Sequence, residues 1–328
     1  MSIAYQQLNK VKGQKGSTII SVKKVSKSYG QKKVLDAISF DISAGEIFGL
    51  LGSNGAGKST ITKIMLGFEL ANKGKVVFFN GGPFDHKTKI SIVPQQIAAY
   101  LDFTVQTNME YFTSLTKIPK KEQKKRIDFL LNWLDLQDFK QMKIRYLSGG
   151  YQRLVNIALS LISDPEIIFL DEPTVGLDPK MRQMFWQKIK ELQEAGKTII
   201  LTTHYMDEAE RLCTKLVLLK NGKLIKKGRP KELIRNFGGL GLLELELDKR
   251  LTTRHFTLVQ KQLPKNLIYL KNKTILIPYK QSQNFGEIIS TTKSIIDAKY
   301  SIKSIYLKEP NLEDVFLNIT GEKMGDTK

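Results

Sequence analysis

Nine residues restrict the folds open to this chain: the run GSNGAGKST, Gly52 to Thr60, set directly behind the apolar stretch EIFGLL. The pattern G-x-x-x-x-G-K-[ST] is met by Gly52, Gly57, Lys58 and Ser59. Glycines behind a strand permit backbone angles that turn successive N–H groups inward, making a nest for an anion. A helix beginning there adds its positive end. In such a cradle Lys58 would reach the β- and γ-phosphates of a nucleotide. Ser59 would ligate Mg2+, and Thr60 would assist at the α-phosphate. Ser53, Asn54, Gly55 and Ala56 line the same loop.

Around the loop, short runs rich in β-branched and aromatic residues read as strands: TIISVKKV, EIFGLLG, KVVFFN, ISIVP, EIIFLDE, TIILTTH, KLVLLK and KLIKKG. EIIFL and TIILT are continuously apolar, as parallel strands buried on both faces should be. KSTITKIMLGFEL, RLVNIALSLIS and MRQMFWQKIKELQEA carry the helical period. The alternation predicts an α/β protein with a mixed sheet core, interrupted by a helical subdomain at about 96–160. After RNFGGLG the order becomes β-α-β-β-α-β with a last helix in NLEDVFLNIT, which fits a small α+β, ferredoxin-like C-terminal domain. The expected organisation is a basic tail at 1–17, an ATP-binding domain at 18–235 and an accessory domain at 236–328.

The second half of a phosphate-cleaving site should be a carboxylate closing a buried strand, and IIFLDEP supplies it. Asp171 is placed to hold Mg2+ through water, and Glu172 to polarise the attacking water as a general base. Two acids before Pro173 would also suit a surface turn; the phosphate loop upstream weighs against that.

Between these halves lies YLSGGYQRL. With it the chain resembles the ATP-binding cassette (ABC) ATPases, whose signature LSGGQ is matched by Leu147, Ser148, Gly149 and Gly150. The resemblance covers roughly 18–235, with the motifs in the family's order. It implies that Tyr29 stacks on adenine and that Gln95, directly after Pro94, serves catalysis and the metal. It also implies that Asp178 of GLDP is the D-loop aspartate and that His204 meets the γ-phosphate. The family's fifth signature residue is commonly glutamine and here it is Tyr151, whose polar tip predicts retained activity. The family pairs two cassettes head to tail, each phosphate loop facing the other's signature. One set of motifs per chain therefore implies a dimer, most simply of identical chains.

Two further stretches narrow the resemblance. AAYLDFTVQTNMEYF, 98–112, resembles the segment that touches a permease's coupling helix. YLKEPNLEDVFLNITGE, 306–322, resembles the end of ATPases serving exporters with a separately encoded permease. The implied role is ATP hydrolysis driving export through a membrane partner, from the cytoplasmic face of the membrane. A soluble ABC ATPase acting on nucleic acid or ribosomes is the alternative. A net charge of +20 favours it through phosphate attraction. The single cassette and the lack of a recognisable helix-turn-helix, zinc site or RNA-stacking motif count against it, so no nucleic-acid partner is expected. The same charge suits contact with an anionic membrane surface. No run approaches the roughly 20 apolar residues that span a bilayer. KKEQKKR, 120–126, reads as the solvated first turns of a helix, and Cys213, in an amphipathic stretch, as core packing.

Overall fold

The computed structural model describes residues 16–78, 90–238, 241–263, 268–279, 284–296 and 299–320. Most of the expected basic tail, and the short segment between FFN and ISIVP, lie outside these residues. The chain forms two compact units, Met1–Lys227 and Gly228–Lys328.

The first unit contains two sheets. Strands β1 (Thr18–Tyr29) and β2 (Lys32–Ser43) form an antiparallel hairpin, and after β3 (Ile47–Gly52) and helix α1 (Lys58–Met65), strand β4 (Lys73–Phe78) returns to the other edge of β1. Strand β2 is not evident from the sequence pattern. Its alternation breaks at Ala37, a bulge residue with φ +50°, so the buried positions jump from Leu35 to Ile38 before resuming at Phe40 and Ile42. Helix α1 is shorter than the apolar period suggests. Gly67, at φ +74°, turns the chain, and Phe68 and Leu70 end exposed.

The remaining elements are β5 (Ile90–Val93), α2 (Val105–Ser114), α3 (Lys120–Trp133), α4 (Gly149–Leu161), β6 (Ile167–Asp171), α5 (Pro179–Glu194), β7 (Thr198–Thr203), α6 (Met206–Leu212), β8 (Lys215–Lys220) and β9 (Lys223–Gly228). They build a six-stranded sheet in the order β5-β6-β7-β3-β8-β9. Strands β5, β6, β7, β3 and β8 run parallel, and β3 and β7 are buried along their whole length. That burial is why their sequences are continuously apolar. Phe40 of the smaller sheet stacks on Phe48 of the larger one, with ring centroids 5.1 Å apart, joining the two around one core.

Helices α2 to α4 fill the span between β5 and β6. Arg126 departs from the solvated face expected of 120–126. Its guanidinium turns inward and donates to the carbonyls of Leu161 and Ile162, closing the C-terminal end of α4. Burial pulls its pKa down, against the pull of Asp164. Cys213 packs as expected. Its sulfur lies so close to Gly49 that a Cβ there would meet it at 2.6 Å, and burial pushes its thiol pKa up.

The second unit comprises α7 (Pro230–Leu233), β10 (Gly241–Leu247), α8 (Thr253–Gln262), β11 (Tyr269–Lys271), β12 (Thr274–Tyr279), α9 (Phe285–Ile296), β13 (Ile302–Lys308) and α10 (Leu312–Thr320). Its antiparallel sheet runs β11-β12-β10-β13, so the first strand lies between the third and the fourth. This is the split β-α-β arrangement of a ferredoxin-like domain. Leu243, Leu245, Val259, Ile275 and Ile288 lie in its core. Asn311 and Asp314 cap α10 reciprocally, each side chain accepting from the other's backbone N–H. Among the described residues, no helix is long and apolar enough to cross a membrane.

Candidate active site

The order of parallel strands assembles the site. Strands β5, β6, β7 and β3 are neighbours pointing the same way, so the residues that continue them lie along one edge of the sheet. Those continuations are Pro94–Gln95, Asp171–Glu172, His204 and the phosphate loop. Ligands of open α/β sheets bind at that carboxyl edge.

The phosphate loop depends on glycine at particular places. Gly55 and Gly57 adopt φ +78° and +102°, and a Cβ on Gly57 would stand 2.6 Å from Leu35 Cδ2 and 3.1 Å from the Val34 carbonyl. Helix α1 starts immediately afterwards with no side chain capping its first turn, which leaves its N–H groups for an anion. Lys58 is almost fully buried. Its ammonium donates to the carbonyls of Gly52 (2.8 Å) and Ser53 (3.3 Å).

Two of the expected catalytic residues meet Lys58 directly or through one step. Glu172 Oε1 is 3.3 Å from Lys58 Nζ, and Glu172 Oε2 is 3.2 Å from His204 Nδ1. The second approach is close but misaligned for a hydrogen bond, so Nδ1 is a buried nitrogen without a hydrogen-bond partner. Glu172 itself sits at φ +45°. A left-handed non-glycine residue costs about 1–2 kcal/mol, and here it comes directly after the end of β6, where its N–H bonds to both the carbonyl and the hydroxyl of Thr202. Thr202 also donates to Asp171 Oδ1 at 2.6 Å, fixing that carboxylate. Sequence reasoning missed Thr202. The available signal was a polar residue near the end of the buried run TIILTT.

Tyr29, at the end of β1, is 47% exposed. Its hydroxyl bonds to Glu69, with Thr60 alongside, and its pKa is raised chiefly by that bond. The Lys27 ammonium pairs with Glu69 at 3.0 Å and lies 5.2 Å from the Tyr29 ring centroid. The ring is therefore held in place beside the phosphate loop.

Gln95 presents an exposed side chain just beyond β5. The backbone around it is held by Arg153 and Asn156 of α4, two residues that no motif singles out. Both are polar residues set among the buried apolar residues Leu154, Val155 and Ile157, and that was the readable sign.

Ser148 caps α4, accepting from the Tyr151 N–H at 3.5 Å, and Gln152 ties the loop by donating to Ile144 and Leu147. A Cβ on Gly150 would meet Met181, which places the signature against the first turn of α5. Asp178 caps that helix through the Met181 N–H at 3.0 Å. Tyr151 packs its ring on Phe139 with centroids 4.2 Å apart. Among the described residues, no hydrogen bond or ion pair joins Ser148, Gly149 or Gly150 to the phosphate loop of the same chain.

A phosphate loop at the carboxyl edge of a parallel sheet, faced by two acids and a histidine, defines a P-loop nucleoside triphosphatase. The family model described as ABC transporter matches residues 35–175. The Nod factor export ATP-binding protein I of Ralstonia nicotianae is 36% identical over 317 residues, 95% of this chain and 97% of that protein. The protein of that name from Rhizobium johnstonii is 37% identical over 304 residues, 92% and 94% of the two chains. Among solved structures, cbiO1 of Clostridium perfringens, part of the ABC transporter complex cbiONQ, superposes with a TM-score of 0.61 at 29% identity. It covers 69% of this chain and 95% of that one. A nucleotide-free ATP-binding cassette of an ABC transporter gives 0.59 at 27% identity, covering 67% and 94%. The chain belongs to the ATP-binding proteins of ABC transporters, and its enzymatic activity is that of an ATPase working in transport.

Proposed function

We propose that this chain powers export through a separate membrane permease, and that two copies pair head to tail so that each phosphate loop meets the partner copy's signature. The observation carrying this reading is the placement of Glu172 between Lys58 and His204 at the edge of the sheet, while the signature serine is bonded elsewhere in its own chain. Half of a nucleotide site is assembled in one chain, and among the described residues the signature serine makes its bond within its own helix start rather than to that half.

In this reading the amides of the phosphate loop and Lys58 bind the β- and γ-phosphates, and Tyr29 stacks on adenine. Glu172 takes a proton from the attacking water, His204 holds the γ-phosphate, and Gln95 orients the water. Gly52, Ser53, Asn54, Gly55, Ala56, Gly57 and Thr60 line the cradle. Ser148, Gly149 and Gly150 close it from the partner copy, with Asp178 beside them. Ser59, Asp171 and Gln95 would hold Mg2+, which when bound offsets the charge of the phosphates. The residues fit such an ion. The Asp171 carboxylate, fixed at Oδ1 by the Thr202 hydroxyl, is a hard oxygen donor of the kind this cation takes alongside phosphate and water.

The permease surface is proposed on the exposed aromatic patch in which Tyr100 touches both Phe103 and Tyr111. Backbone bonds from Ile144 and Arg145 to the carbonyls of Phe103 and Leu101 connect this patch to the segment leading into Ser148. The chain would act at the cytoplasmic face of the membrane as a peripheral subunit, with residues 18–235 as the ATP-binding domain and 236–328 as an accessory domain. Affinity purification of the tagged full-length chain from detergent-solubilised membranes tests the reading. Recovery of a multi-span permease that stimulates ATP turnover when reconstituted with the chain supports it. Recovery of ribosomes or nucleic acid in its place overturns it.

A further inference from the structure

Helix α4 buries an apolar face made of Leu154, Val155, Ile157, Ala158 and Leu161. Two polar side chains are buried with it: Arg153, 6% exposed, and Asn156, 2% exposed. A guanidinium taken out of water costs several kcal/mol unless its donors are matched, so its partners decide what it is there for. Those partners lie in one stretch. Arg153 Nη1 donates to the carbonyls of Pro94 (3.0 Å) and Gln95 (2.5 Å). Asn156 Nδ2 donates to Pro94 (3.3 Å) and Gln96 (3.2 Å), and its Oδ1 accepts from the Ala98 N–H at 2.9 Å. Five bonds from one helix thus hold the backbone from Pro94 to Ala98.

That stretch begins where sheet pairing stops, since the last pair of β5 is Val93 with Leu170. Pro94 has no N–H to offer, and the carbonyls beyond it need partners that the sheet does not supply. Arg153 therefore stands where α4 and the Gln95 segment come together. The helix that carries it begins at Ser148.

We propose that Arg153 and Asn156 are positioning residues: they fix the Gln95 backbone to the helix that opens at the signature, so that Gln95 and the signature of one chain shift together. The proposal rests on the role given to Gln95 above. A tie of this kind leaves the Gln95 side chain free to reach the nucleotide while its backbone follows α4. A packing role alone would give Arg153 no reason to act through Gln95.

The test is a double-mutant cycle on the full-length chain, with variants Gln95→Ala, Arg153→Met, Asn156→Ala and each pair with Gln95→Ala. Turnover, KM for ATP, ADP affinity and the melting midpoint are measured for every variant. Loss of a residue that orients a ligand costs about tenfold or more in activity. Arg153→Met and Asn156→Ala are expected to lower kcat by that much, with KM and ADP affinity nearly unchanged. In the Gln95→Ala background neither should lower kcat further. Losses that multiply with Gln95→Ala, or turnover near that of the parent in both single variants, overturn the positioning role. Parent-like turnover in Gln95→Ala alone overturns the reading of Gln95 instead.

Discussion

The ammonium of Lys58 stands 3.3 Å from Glu172 Oε1, so the residue proposed for phosphate and the residue proposed for water are already partners. The phosphate loop and the end of β6 are separated by more than a hundred residues. Only the order β6-β7-β3 brings them to the same edge. The carboxylate that would take the proton is paired at Oε1 with Lys58, while Oε2 lies 3.2 Å from His204 Nδ1 without a hydrogen bond between them.

Glu172→Gln should therefore abolish turnover while leaving nucleotide binding intact. The amide keeps the shape of the side chain and loses the base, which removes about 100-fold or more of rate. A sizing column run with ATP should show a trapped dimer. Continued phosphate release with no ATP-dependent dimer contradicts the assignment of the base.

Gly57→Ala should fail for a different reason. The residue sits at φ +102°, and its new Cβ would press on Leu35 and the Val34 carbonyl, both in β2. The left-handed conformation alone costs about 1–2 kcal/mol, and the collision adds to it. A lowered melting midpoint together with lost ATP affinity is expected. A variant with parent-like ATP affinity would show that the loop tolerates the change.

Tyr151→Gln should leave ATPase turnover within about tenfold of the parent, or ~1.4 kcal/mol, since Ser148 and the helix start remain. Tyr151→Ala should cost stability, because the ring rests on Phe139. A double-mutant cycle with Phe139→Ala should return about 0.5–1.5 kcal/mol for the pair. A coupling near zero would mean that the contact stabilises nothing.

Glu208 supplies a pH signature. It is fully buried, and Oε1 accepts from Thr174 and Trp186 while Oε2 has no partner. Burial raises its pKa above the ordinary 4.5; the Thr174 and Trp186 donors oppose the shift, and Asp207 adds to it. The interior thus favours the neutral acid. Its contribution to stability is whole below the ordinary carboxyl pKa and is lost as pH rises through the raised value. Glu208→Gln cannot ionise. Its melting temperature relative to the parent should therefore climb as pH rises across that window, and a pH-independent difference contradicts this.

Much of the site was readable as motifs because phosphate chemistry demands particular residue types at fixed spacing. The phosphate loop, the acid pair and the continuously apolar strands all belong to this kind. What escaped was set by tertiary pairing. Strand β2 was hidden by the bulge at Ala37, which shifts the phase of its alternation. Thr202, Arg153 and Asn156 act through backbone groups far away in sequence, and no local spacing reports that. Arg126 looked solvated within a run of lysines, yet its partners are the last carbonyls of another helix.

The central claim is that one chain's phosphate loop is completed by another chain's signature. Mixing two inactive full-length variants, Lys58→Ala and Ser148→Arg, tests it most directly. In a head-to-tail pair, one site would combine the intact loop of one variant with the intact signature of the other. ATPase activity of the mixture well above that of either variant is the predicted result. A mixture no more active than its parts, with both variants folded and able to pair, would contradict the claim.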